Sequence, residues 1–171
     1  MTRNRALVAV LIAILASAVG CGSAQPERNA AMIFAVGDCV SFPAGTPSAP
    51  EVARATKVAC SADPSYTVGA VADAAGSCPS GEYQHLPAKL ADPSTARLCL
   101  VPNLVTYHCY ELGMPAGVMG LADCTSRGNG VLVQVTQRLD VHDGSTCPKA
   151  SGEYAWRYPS PARTYCTRTL Y

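Results

Sequence analysis

Apolar residues in this chain alternate more often than they recur at helical spacing. Val131, Val133 and Val135 alternate with Leu132, Gln134 and Thr136, and Val105, Tyr107 and Cys109 alternate with Thr106, His108 and Tyr110. Both runs carry the period of two expected of half-buried strands. Tyr66 to Val71 is a third β-type run, and 13 prolines and 14 glycines cut the remainder into short pieces. The only helical candidates beyond the N-terminus are one or two turns near 52–56 and 78–90, the second interrupted by Pro79 and Pro87. The expected class is mainly β, with a small α+β arrangement as the alternative.

The N-terminus has a different pattern. Arg3 and Arg5 precede a largely apolar run from Ala6 to Val19, followed by Gly20 and Cys21. About 14 residues rise only about 21 Å as a helix, against a hydrocarbon core of roughly 30 Å, so the run reads as a signal rather than a span. Ala18, Val19, Gly20 and Cys21 resemble a bacterial lipobox, which would place a lipid on Cys21; an ordinary secretory signal cut near Ala24 is the alternative. The expected organisation is a signal at 1–20, the lipidated cysteine and a tether at 21–33, and exported repeats at 34–101 and 102–171. Removing Arg3 and Arg5 takes the formal charge from +1 to −1. With no basic cluster, the exported part lacks the footprint that a nucleic acid partner requires.

Nine cysteines are present, and setting Cys21 aside leaves Cys39, Cys60, Cys78, Cys99, Cys109, Cys124, Cys147 and Cys166. An even set without CxxC pairs, in an exported chain, reads as a disulfide framework rather than a zinc or redox site. The eight fall into two sets of four with similar neighbours. Gly37, Asp38 precede the first cysteine of one set and Tyr107, His108 that of the other, while Pro79 and Pro148 follow the third. Gly, Glu, Tyr comes next (81–83 and 152–154), and Ala, Arg pairs (96–97 and 162–163) precede the last. An internal duplication of about 70 residues follows. Eight cysteines allow 105 pairings, and identical pairing within each copy leaves three. The favoured one joins first to second and third to fourth: Cys39 to Cys60, Cys78 to Cys99, Cys109 to Cys124 and Cys147 to Cys166. Each such pair links two apolar segments across a Pro-, Gly- and Ser-rich loop.

Val36, Gly37, Asp38, Cys39, Val40, then Ala55 to Cys60, Cys78, Pro79 and Leu98, Cys99, Leu100 resemble the actinobacterial lipoproteins called LppU, and more distantly the septum-formation family domains. The second copy departs from that opening at Tyr107, His108, Cys109. The resemblance implies an envelope lipoprotein of mycobacteria or relatives and transfers no catalytic residue.

Candidate chemistry is sparse. His85, His108 and His142 lie in three separate segments, and Asp140, His142 and Asp143 lack the alternating ligands of a calcium loop. His108 beside Cys109 is no nucleophile pair, because adjacent strand residues face apart. Glu111 with Asp123, or Asp38 with Glu51, could approach in space. Trp156, with Tyr154, Tyr158, Tyr165 and Tyr171 nearby, reads as core filling, or else as a binding patch. No catalytic residue, metal or cofactor is implied. The expected function is a non-enzymatic, membrane-anchored binding or scaffold module on the extracytoplasmic face of the cell membrane, its partner an unidentified envelope protein or lipid. The alternatives are a carrier whose cavity is lined by Tyr107 and Val131, Leu132, Val133 and Val135, or an envelope hydrolase.

Overall fold

The computed structural model describes residues 33–42, 52–113, 118–126 and 130–170. The signal, Cys21, Glu51, Tyr171 and all but the last residue of the tether lie outside them. Apart from turns and loops, the described residues form two antiparallel sheets and a single 3-10 turn, Thr95–Arg97. In the first sheet, β1 (Cys39–Ser41), β2 (Thr56–Lys57), β3 (Tyr66–Val71) and β4 (Leu98–Pro102) lie in the order β2-β1-β3-β4. In the second, β5 (Cys109–Leu112), β6 (Met119–Ala122), β7 (Val131–Leu139), β8 (Glu153–Pro159) and β9 (Ala162–Thr169) lie in the order β6-β5-β7-β9-β8. The mainly-β expectation holds. The first sheet also gains a fifth position where Gln84 pairs with Leu100, so both follow one plan.

Register ties the copies together more tightly than composition does. Cys39 pairs with Thr67 and Cys109 with Gln134; Val40 pairs with Lys57 and Tyr110 with Leu121, in each case three residues before the bridged cysteine. The same irregularity follows. Val68 pairs with Leu100 but Ala70 with Cys99, and Val135 pairs with Thr167 but Gln137 with Cys166, so a one-residue bulge falls at Gly69 and at Thr136. A bulge shifts every later side chain to the other face, and its recurrence at one register position is a specific mark of common geometry.

All four disulfides form in the expected pairing, with Cα atoms 5.1 to 5.7 Å apart. Two of them tie loops to β4 and β9, each one position in from the outer edge once Gln84 is counted beside β4. β4 and the central five residues of β9 are buried on both faces, where alternation alone would leave one face wet. The Cys78–Cys99 bridge ties the loop after β3 to β4, and Ala72 N–H donating to Arg97 C=O extends the β3–β4 ladder. The loop stapled by Cys147–Cys166 covers β9, with Asp143 N–H donating to the Thr164 hydroxyl and that hydroxyl to Val141 C=O. One apolar cluster takes side chains from both sheets, including Tyr66, Val68 and Val101 from the first and Tyr110, Val135 and Tyr165 from the second. The tip of the β8–β9 hairpin seals it. A Cβ on Gly69 would stand 2.1 Å from Ser160 C=O, so only glycine lets the tip reach β3.

Several sequence expectations fail for identifiable reasons. The strand expected over 105–110 begins only at Cys109, because 105–108 forms a turn that puts Tyr107 at φ 69°. No helix forms near 52–56 or 78–90: Ala53 instead bridges Ala91, Thr56 belongs to β2, the 78–90 segment holds only single turns in which Tyr83 N–H donates to Ser80 C=O and Leu90 N–H to Pro87 C=O, and the short helix lies later, where Asp92 accepts from Ser94 and Thr95. The Ala, Arg pairs and the Gly, Glu, Tyr motifs are each one residue out of structural register. Arg97 lies two residues before its cysteine and is exposed, whereas Arg163 lies three before and is buried. Tyr83 is buried and Tyr154 is 55% exposed, so Tyr154 is not the counterpart of Tyr83 in a shared scaffold.

Candidate functional site

The turn that opens each copy is built on one backbone plan and two side-chain solutions. In the first, Asp38 N–H donates to Ala35 C=O and Gly37 N–H to Val68 C=O; in the second, His108 N–H donates to Val105 C=O and Tyr107 N–H to Val135 C=O. The third residue takes a left-handed conformation in both, φ 94° at Gly37 and 69° at Tyr107. In the first copy the Asp38 carboxylate accepts the Ala35 N–H at 2.7 Å and pairs with Lys57 at 2.8 Å. The Ala35 N–H, then Lys57, hold this carboxyl below its usual range.

His108 stands where Asp38 stood, and an imidazole cannot replace that carboxylate. The Val105 N–H turns instead to the Tyr110 hydroxyl, at 2.9 Å. The missing carboxylate comes from the first copy: Asp63 accepts the Tyr110 O–H at 2.7 Å through Oδ1 and meets His108 Nδ1 at 2.6 Å through Oδ2. The Asp63 side chain is only 14% exposed, whereas that of His108 is 47% exposed. Burial, together with the acceptor Asp63, pushes the Tyr110 hydroxyl above its ordinary value and keeps it a donor.

Beside this cluster lies a buried polar seam. Arg163 donates through one terminal nitrogen to Pro102 C=O at 3.0 Å and to Asn103 Oδ1 at 2.6 Å. Asn103 also accepts from the Thr67 hydroxyl and bonds the Ser65 hydroxyl, while the Tyr165 hydroxyl donates to Pro102 C=O and accepts the Leu104 N–H. Burial raises the Tyr165 hydroxyl. The linker between the sheets is thereby satisfied by side chains of both, as buried backbone groups must be.

The remaining candidates disperse. His142 Nε2 meets Glu82 at 2.7 Å and Arg157 meets the same carboxylate at 3.2 Å, while His85 Nε2 bonds Ala96 C=O. The three histidines therefore have three unrelated settings. Asp143 caps Ser145 and Asp140 pairs with Arg138, so the trio with His142 does not converge. Glu111 accepts the Gly130 N–H and Asp123 binds Thr125, so that acidic pair serves two turns. Among the described residues no group of three His, Cys, Asp or Glu stands at metal-binding distance. Of the residues suggested for a carrier cavity, Leu132, Val133 and Val135 are buried, whereas Val131 is 47% and Tyr107 73% exposed. Of the aromatic set, Tyr158 and Tyr165 are buried, Trp156 packs against the core and Tyr154 faces solvent.

An aspartate-oriented imidazole is half of a general-base arrangement. The other half is a hydroxyl or thiol within reach, and no such group bonds the His108 ring among the described residues. What Asp63, His108 and Tyr110 do is join the copies. The second opening turn is completed by a residue of the first copy, a dependence that neither half's sequence displays, although the change from Gly37, Asp38 to Tyr107, His108 marks the place. No family model, curated protein or solved structure matches the chain.

Proposed function

We propose that this protein is a lipid-anchored, extracytoplasmic lipoprotein of a bacterial cell envelope, acting as a non-enzymatic binding or scaffold module. The observation that supports it most is the cysteine count. All eight cysteines beyond Cys21 are consumed in four bridges within the two copies, which suits an oxidising compartment and sets Cys21 apart at the end of a signal-like run. The likeness to LppU-type lipoproteins points the same way. For the absence of catalysis, the support is that the Asp63–His108–Tyr110 cluster is spent on joining the copies.

Metabolic labelling with a fatty acid analogue tests the anchor. The full chain is expected to take the label and to partition with membranes, and Cys21→Ala to lose both. Undiminished labelling of Cys21→Ala would end the lipoprotein reading.

A further inference from the structure

The two copies differ most at their outer edges. In the first sheet the position beyond β4 is held by Gln84 alone, with Pro87 three residues on. In the second it is β8, seven residues paired with β9 along one side. Along the other side, no described segment makes a backbone hydrogen bond to residues 154–159. Free edges of this length are normally short, bulged or guarded by lysine or an internal proline, because they template pairing with another chain. Between Glu153 and Tyr158, β8 has no lysine, no bulge and no proline, its two charges are of opposite sign, and Tyr154, Ala155 and Arg157 are exposed.

The edge also carries a specific address. Around Ala155, aromatic residues sit one position away on each side, Tyr154 and Trp156, and opposite charges two positions away, Glu153 and Arg157. We propose that β8 pairs antiparallel with β8 of a second copy of this chain, about a two-fold axis at Ala155. In that register Glu153 of each copy stands opposite Arg157 of the other and Tyr154 opposite Trp156, so every pair occurs twice. Sliding the partner by two residues sets Tyr154 or Trp156 opposite itself and separates the charges. Sliding by one puts the outward backbone groups out of step. Arg157 already meets Glu82 at 3.2 Å yet keeps half its side chain in solvent, where a second carboxylate can reach it. The two five-stranded sheets become one of ten. A contact along one strand edge falls below about 1,200 Å² and forms a weak dimer whose population follows concentration.

Sedimentation velocity of the full chain in detergent micelles, over a range of protein concentrations, tests this. Wild type is expected to pass from one copy to two as concentration rises. Glu153→Arg, which sets like charges opposite each other at both ends, is expected to weaken the dimer about tenfold. Adding Arg157→Glu to the same chain is expected to restore it, which loss of folding could not do. Ala155→Cys is expected to cross-link to a dimer on mild oxidation, since paired Cα atoms lie about 4.5–5.5 Å apart, and exposed Lys89→Cys is not. A single copy at every concentration, a charge swap that fails to restore pairing, or equal cross-linking at 89 and 155 would each overturn the proposal.

Discussion

β4 and β9 hold the same place in the two copies, buried on both faces and tied to a stapled loop, yet they are made of different material. β4 is Leu98, Cys99, Leu100, Val101, Pro102, whereas β9 buries Arg163, Thr164 and Thr167 beside Tyr165 and Cys166. The first strand rests on apolar contact, and the second on hydrogen bonds to Pro102, Asn103, Val141 and Tyr154. What the copies share is backbone geometry: the bulge, the pairing register and the two bridges. Side chains have been exchanged freely wherever a partner, often from the other copy, could satisfy them. The fold is therefore specified by its staples and its register more than by any one set of core residues.

Removing a staple tests this most severely. Replacing both cysteines of Cys39–Cys60 or of Cys109–Cys124 with alanine should cost about 3 kcal/mol in either copy, since the closed loops are of similar length. Denaturant unfolding under non-reducing conditions measures it. Because one core takes side chains from both sheets, each variant should still unfold in a single transition. Two separated transitions would mean that the copies are independent.

Alkaline titration probes the same shared core through its tyrosines. Burial pushes the Tyr66 hydroxyl up to about 12 and also raises Tyr110, Tyr158 and Tyr165. A folded value above the unfolded one means that the stabilisation is complete below pH 10 and is lost as pH rises toward about 12. For Tyr66 alone this is on the order of 2–3 kcal/mol. Ultraviolet tyrosinate absorbance should show the four ionising together with unfolding, and a gradual ionisation without unfolding would contradict the core described.

Gly69 and Thr136 occupy the same bulge with opposite demands. Gly69→Ala should cost roughly 2 kcal/mol, because its new methyl meets a backbone oxygen, Ser160 C=O, which must move. Thr136→Ala removes one hydrogen bond to Cys166 C=O and should cost about 1 kcal/mol. Thermal denaturation of the pair ranks them, and equal costs would remove the hairpin tip from its place against β3.

Strand class, cysteine pairing and duplication were legible because each depends on spacing along the chain. The period of two around Val133, proline after each third cysteine and the even count all survive as local features. The failures share one cause. Asp63 stands 45 residues from His108, and Ser160 far from Gly69, so neither contact leaves a mark near its partner. Nor does a short motif report a one-residue offset: Gly, Glu, Tyr reads the same at 81–83 and 152–154 while Tyr83 and Tyr154 have opposite exposure. The candidate site was visible only as a departure, where Tyr107 and His108 replace Gly37 and Asp38.

That departure yields the smallest and most specific effect. Both opening turns require a left-handed third residue, a conformation that costs a side-chain-bearing residue about 1–2 kcal/mol. Glycine escapes this cost but loses about 0.5–1 kcal/mol to its freedom in the unfolded chain. Tyr107→Gly should therefore stabilise the protein by about 0.5 kcal/mol, the exposed ring taking little packing with it. Gly37→Ala, where no atom lies within 4 Å of the new Cβ, should destabilise by about 1 kcal/mol through conformation alone. Paired equilibrium unfolding curves resolve the two signs. A loss of stability in Tyr107→Gly would show that the ring, 73% exposed as it is, contributes contacts that outweigh the strain of its backbone.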